Sequence, residues 1–273
     1  MAKRLRLDAE LVRRSLARSR QHASELIAAG RVSVDGARAA KPATQVLTSQ
    51  AVTVAEDVDD PEYASRGGFK LAGALAALGD AVPILTGRRA LDAGASTGGF
   101  TDVLLRSGVA QIYAVDVGYG QLLWRLQNDP RVNVMDRTNA RYLAPDDFPQ
   151  PPDLVVSDLS FISLTLVLPA LARVAAPEAD YLLMVKPQFE VGKERLRTGG
   201  VVRDPDLHAE AITGVLECAA SVGLGTHAVV ASPLPGPAGN VEYFVHLSAA
   251  GSLDNVDDLI AAAIATGPAG KDS

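Results

Sequence analysis

Residues 89–100, Arg89-Ala90-Leu91-Asp92-Ala93-Gly94-Ala95-Ser96-Thr97-Gly98-Gly99-Phe100, read as a buried strand running into a glycine-rich turn. The apolar run is short and bounded by turn residues, which suits a strand of a covered sheet. Residues 100–107 then carry a helical pattern that Gly108 stops. Outward from this unit the alternation repeats. Residues 111–117 read as a second strand with Asp116 at its end, and 121–128 as a helix. Residues 132–135 form a third strand, followed by Asp136, and 153–157 a fourth, ending at Asp158. A helix over 164–175 leads to a fifth strand over 181–185, ending at Lys186. A long helix over 207–222 precedes two final strands, 226–231 and 242–247. Strands separated by helices predict an α/β fold with a mostly parallel, doubly wound sheet. Right-handed crossovers bring the strand C-termini to one edge, where ligands bind.

Four acids, Asp92, Asp116, Asp136 and Asp158, therefore fall on the ligand edge. Aspartate also favours loop starts and helix caps, so one alone means little. Four at successive strand ends beside a glycine loop point to a site. A dinucleotide fingerprint needs glycine at 94, 96 and 99, and Ser96 replaces the middle one. The loop suits S-adenosylmethionine better. Asp92 would accept from its amino-acid end, Asp116 from its ribose diol, and Asp136 from its adenine amino group. Gly94, Ser96, Thr97, Gly98, Gly99 and Phe100 would supply close backbone contact.

Chemistry is expected outside that loop. Lys70 lies in Ser65-Arg66-Gly67-Gly68-Phe69-Lys70, at the start of a helix. Lys186 opens Lys186-Pro187-Gln188-Phe189-Glu190, and Glu242 follows Gly239-Asn240-Val241. A lysine at an apolar strand end is costly unless paired. Lys70, Asp158, Lys186 and Glu242 converging would neutralise one another. Their order resembles the tetrad of the FtsJ-like ribose 2′-O-methyltransferases. That chemistry needs an oriented hydroxyl and a proton acceptor. Lys186 is the expected base and Lys70 its cationic neighbour. Asp158 would hold Lys186, and Glu242 would position Lys70 or the ribose. No metal is required.

The chain's charge is uneven. Residues 1–50 hold ten basic and four acidic side chains; the remainder holds sixteen and twenty-eight. A basic head on an acidic body suits a polyanion. Asp8 is expected to cap a helix through Ser15, and Ser19 a second over 20–29, stopped by Gly30. Residues 31–36 read as a hairpin turning at Asp35-Gly36, with 52–54 closing a small sheet. Residues 6–36 resemble the small α+β S4 RNA-binding domain, through Ser19-Arg20, Gly30 and Val32-Ser33-Val34-Asp35-Gly36. Arg4, Arg6, Arg14, Arg18, Arg20, Lys41 and Arg66 are the expected RNA contacts. Guanidinium forks suit phosphate, and A-form RNA is read by shape and phosphate.

The acidic run from Glu56 to Glu62, broken by Pro61, marks a linker. The expected division is a head over 1–59, a linker over 60–64, and a catalytic domain over 65–273. A single cysteine, Cys218, excludes an intrachain disulfide and a cysteine-cluster zinc site. No apolar run reaches the roughly 18 residues of a membrane helix. Cys218 and the four histidines read as structural or surface residues, and Trp124 as packing. Residues 186–203 read as a basic flap facing RNA.

Taken together, the segments at 65–71, 91–105, 114–122, 129–141, 153–164, 185–194 and 231–244 resemble the TlyA family of ribosomal RNA 2′-O-methyltransferases. That resemblance implies methylation of cytidine ribose from S-adenosylmethionine; the low cysteine content fits a cytoplasmic home, and nothing in the sequence argues for more than a monomer. The resemblance also implies a Rossmann-like methyltransferase fold and ribosomal RNA of both subunits as partner. The early start of the head resembles the branch that modifies 16S and 23S RNA, sensitising ribosomes to capreomycin and viomycin. Two rivals remain: a non-catalytic RNA-binding protein, and a membrane-active haemolysin, a label this family has carried.

Overall fold

The computed structural model describes residues 4–14, 16–17, 19–55, 61–196 and 199–267. Contacts divide the chain into two units, Met1–Pro61 and Glu62–Ser273.

In the first unit, β1 (Arg4–Arg6) leads directly into α1 (Leu7–Arg13), followed by α2 (Arg20–Ala28). Strands β2 (Val32–Val34), β3 (Ala37–Arg38), β4 (Gln45–Leu47) and β5 (Val52–Val54) complete it. The antiparallel pair β1–β4 and the sheet β3-β2-β5 enclose a core of Leu7, Leu11, Leu26, Ile27, Val32 and Val46. The hairpin turns at Asp35 (φ 49°) and Gly36 (φ 82°), the positive pair that matches strand twist. Ser19 caps α2 by accepting from the His22 N–H at 3.1 Å. Asp8 does not cap α1. The helix starts two residues earlier, with Arg6 at its N-cap, and Asp8 is buried in the first turn. Two arginines recruit its carboxylate, so a tertiary ion pair displaces the local cap. The helix also ends at Arg13, short of the expected Ser15, which lies outside the described residues.

In the second unit α3 (Arg66–Leu78), capped by Ser65, precedes β6 (Arg89–Ala93), α4 (Gly99–Arg106), β7 (Gln111–Val115) and α5 (Trp124–Gln127). Then come β8 (Val132–Met135), β9 (Leu154–Ser157), α6 (Leu168–Val174), β10 (Asp180–Val185) and α7 (Pro187–Glu190). Helix α8 (Pro205–Ser221), strands β11 (Gly225–Ala231) and β12 (Tyr243–Ser248), and α9 (Val256–Thr266) follow. The seven-stranded sheet runs β11-β12-β10-β9-β6-β7-β8, a mostly parallel, doubly wound, Rossmann-like sheet as expected. Only β12 opposes its neighbours. Leu71, Ala74, Phe100 and Leu104 cover one face against Ala90, Ile112, Val156, Met184 and Phe244. Leu168, Leu171, Ile212, Val215 and Ile260 cover the other against Leu91, Val115, Val155, Leu183 and Val245.

Two expected helices are shorter. Only Trp124–Gln127 is helical within 121–128, because Leu123 takes an extended conformation ahead of it. Residues 164–175 form one 3-10 turn, Leu164–Leu166, and then α6, where Pro169 in the first turn lacks an N–H to continue the earlier turn. Residues 62–64, expected in the linker, belong to the second unit; residue 60 lies outside the described residues. Buried Ala64 donates its N–H to Asp102 at 2.8 Å. No described helix is long and apolar enough to cross a membrane.

Candidate active site

Strand alternation decides which side chains meet. Ala90, Ala114, Val156, Met184 and Phe244 all face the α3 side. Counting by two, Asp92, Asp116, Asp158, Lys186 and Glu242 take that side as well. Glu242 precedes its strand instead of following it. It reaches the same edge because β12 runs antiparallel to β10, with Val185 paired to Tyr243.

The four expected catalytic residues form two ion pairs. Lys70 Nζ meets Glu242 Oε2 at 2.5 Å, with both side chains buried. Lys186 Nζ meets Asp158 Oδ1 at 2.5 Å and donates to Ser160 Oγ at 3.0 Å. Lys186 is 6% exposed, and Asp158 is half-buried. The pairs are neighbours through α3: Gly67, one turn before Lys70, packs beside the Asp158 carboxylate. Each lysine therefore has its own carboxylate, Asp158 on Lys186 and Glu242 on Lys70.

The glycine loop is built against this pair. Gly94 has φ 93°, and a Cβ there would sit 2.8 Å from the Asp158 carbonyl oxygen. At Gly99 a Cβ would sit 2.7 Å from the Gly68 nitrogen, so α3 and α4 begin in close contact. Asp92 is fully buried and accepts from Thr101 Oγ1 at 2.7 Å through Oδ2. Its Oδ1 has no partner. Burial pushes its pKa up to about 7, against the Thr101 hydrogen bond. Asp116 accepts from the Ser96 N–H at 2.8 Å and the Gly118 N–H at 2.7 Å, tying the glycine loop to the next one. Asp136 accepts from the Gly120 N–H at 2.8 Å. Ser96 is exposed and Thr97 half-buried; Gly98, in the left-handed region, is the N-cap of α4. The Phe100 side chain is core, stacked on Phe244 with ring centroids 5.9 Å apart. An orphaned buried carboxylate oxygen beside an open glycine turn fits the ammonium end of S-adenosylmethionine. Thr101, which sequence reasoning missed, fixes that carboxylate; its place one helical turn into α4 was the available signal.

The expected RNA contacts divide. Arg4 and Lys41 are exposed. Arg6 and Arg20 both bind Asp8 at 2.9 Å, and Arg14 binds the fully buried Glu10 at 2.7 Å. Arg14 also donates to the carbonyls of Thr48 and Gln50. These three arginines hold the head together as well as contributing charge. Arg18 lies outside the described residues. Arg66 donates to the Pro235 carbonyl.

Two further features escaped the sequence. Trp124, expected to pack, is 77% exposed. Phe161 is 91% exposed with φ 65°, three residues beyond Asp158, and its ring lies 5.4 Å from that of Phe189. Cys218 is half-buried against the core. His208 bridges Tyr243 and the Val202 carbonyl, His246 meets Asp180, and His227 meets Ser248. Among the described residues no cluster of histidine, cysteine or carboxylate side chains has the form of a metal site.

Residues 63–249 match the model for FtsJ-like methyltransferases, and residues 5–52 the S4 domain. A protein of Mycobacterium tuberculosis, named 16S/23S rRNA (cytidine-2'-O)-methyltransferase TlyA, is 55% identical over 98% of this chain and 100% of its own length. This chain belongs to the TlyA family of FtsJ-like methyltransferases. It is an enzyme, and the buried lysine–carboxylate edge is its candidate catalytic centre. Hemolysin A of Brachyspira hyodysenteriae is 33% identical over 89% of this chain and 99% of its own length. A solved protein of Streptococcus thermophilus that bears the hemolysin label has 35% identity and a TM-score of 0.74, covering 96% of both chains.

Proposed function

We propose that this enzyme transfers the methyl group of S-adenosylmethionine to the ribose 2′-hydroxyl of cytidine in ribosomal RNA of both subunits, 16S and 23S. The observation that carries the reading is Lys186, buried at the end of β10 and held by Asp158 and Ser160 beside the glycine loop. Asp92, Asp116 and Asp136, with the backbone of residues 94–99, would hold the cofactor, which supplies an electrophilic methyl. Lys186 Nζ, held by Asp158, orients the hydroxyl oxygen, and the Lys186–Asp158 pair takes up the hydroxyl proton as the oxygen attacks the methyl group. Lys70 and Glu242, paired with each other, fix the α3 edge of the site. When bound, the sulfonium would carry its own leaving group, a neutral thioether.

Two features favour RNA. The S4 head carries excess positive charge, which suits phosphate. An exposed phenylalanine beside the ion pair suits an unstacked base. We place the enzyme in the cytoplasm as a monomer on ribosomal subunits, where its modification sensitises ribosomes to capreomycin and viomycin. The test is methyl transfer from radiolabelled S-adenosylmethionine to unmethylated small and large subunits, with Lys186→Ala alongside. Label on cytidine ribose that falls at least about 100-fold in the variant supports the reading. No label on either subunit from folded protein refutes it and favours the RNA-binding module. Leakage of liposomes by the pure protein would favour the haemolysin reading.

A further inference from the structure

Lys186 and Asp158 end adjacent parallel strands, and the chain leaves both strands on the same side of the pair. Residues 158–163 arch away from β9, while α7 leaves β10. The near foot of the arch is fastened to the second segment by the Asp158–Lys186 pair. Its far foot is fastened too. Glu190, the last residue of α7, accepts from Ser163 Oγ at 2.5 Å and from the Leu164 N–H at 2.9 Å. Ser163 is the N-cap of the following 3-10 turn and also accepts from the Thr165 N–H at 3.1 Å. Between the two feet lie Ser160, whose Oγ accepts from Lys186 Nζ, and Phe161, held at φ 65°. Phe161 packs on Phe189, the residue before Glu190.

The lysine thus takes its partners Asp158 and Ser160 from one arch. A positive φ at a bulky residue persists only where its surroundings hold it. Burial pushes the Glu190 carboxyl up, against the two hydrogen bonds that hold it down. The mechanism above gives this half-buried acid no task.

We propose that Glu190 is a positioning residue for methyl transfer, fixing the 158–163 arch so that Asp158 and Ser160 aim Lys186 Nζ at the substrate hydroxyl. This rests on the ribose-methylation reading and deepens it. Glu190 touches neither substrate nor cofactor; it acts through Ser163 and the arch. Losing it frees the far foot and lets the lysine swing. A misplacement of about 1 Å at a reacting group lowers rates on the order of 100-fold.

The experiment compares wild type, Glu190→Ala, Glu190→Gln and Ser163→Ala in single-turnover methyl transfer to unmethylated ribosomal subunits. Affinities for S-adenosylmethionine and RNA, and thermal melting, are measured beside it. For Glu190→Ala we expect the rate at saturation to fall about 10- to 100-fold, with both affinities within about twofold of wild type. Glutamine keeps an acceptor for the Leu164 N–H and restores much of the rate. Ser163→Ala, which leaves that N–H bond in place, gives a smaller loss of the same kind, and its combination with Glu190→Ala adds little further. A Glu190→Ala rate equal to wild type overturns the proposal. So does a loss shared equally by rate, both affinities and melting, since that is a structural effect. If Glu190→Ala does not fold, the Ser163→Ala and Glu190→Gln rates decide, and wild-type rates in both overturn it. An active wild type with unchanged variants sinks this proposal alone; an inactive wild type sinks the ribose-methylation reading with it.

Discussion

Titrating cofactor affinity through neutral pH isolates Asp92. Its carboxyl is fully buried, has one unpartnered oxygen, and is pushed up to about 7. If it receives the ammonium of S-adenosylmethionine, only its ionised form binds well. With a pKa of about 7 the ionised fraction is about 0.9 at pH 8 and about 0.1 at pH 6. Affinity should therefore weaken about tenfold across that interval, about 1.4 kcal/mol. Binding should release close to one proton at pH 6 and about half a proton at pH 7. Isothermal titration calorimetry in two buffers of different ionisation enthalpy reads both quantities. Asp92→Asn should bind more weakly and lose the pH slope. The same shift has a sign for stability. A raised carboxyl stabilises the ligand-free fold fully below its ordinary value near 3.8, and that contribution is lost as pH rises through about 7. Asp92→Asn should consequently raise the ligand-free melting temperature at pH 8 and leave it nearly unchanged at pH 4. A dissociation constant that stays flat from pH 6 to pH 8, with no proton released, would refute the assignment of Asp92 to the ammonium.

Lys70→Met should destabilise the protein by about 3–5 kcal/mol in urea unfolding, because it strands the buried Glu242 carboxylate. Adding Glu242→Met should recover most of that loss, and a single variant as stable as the parent would contradict the pairing. In the head, Arg6 holds Asp8 down to about 2, and Arg13 holds Glu10 down to about 2. Carboxyls lowered in this way stabilise the fold above their ordinary values and lose that contribution as pH falls toward 2. Head melting followed by NMR should drop between pH 4.5 and 2, and Asp8→Asn with Glu10→Gln should flatten the drop while lowering stability at pH 7.

Much of the site was legible because its pattern is local. The alternation of strands and helices gave the ligand edge, and the period of two along each strand placed Asp92, Asp116, Asp158 and Lys186 on one face. The shortened helices were less legible. Nothing in the composition of 121–128 distinguishes a helix from the extended Leu123, whose N–H donates to the Thr97 carbonyl of the glycine loop at 3.3 Å, with Leu122 and Leu126 packed beside Gly98. The basic head was legible as charge. Its internal pairing was not, because Asp8 is reached from Arg20, twelve residues away, as well as from Arg6.

The sequence by itself determined the βα order, the glycine turn, and the residues that could do chemistry at the strand ends. These follow from backbone geometry repeated over a few residues. The tertiary structure alone decided which charges meet. Lys70 finds Glu242 across 172 positions only because β12 reverses against β10, which turns the start of that strand toward the catalytic edge. Glu190 finds Ser163 only because β9 and β10 are neighbours in the sheet. A partner far along the chain leaves no local pattern, and the buried charge is stable only after folding has supplied it.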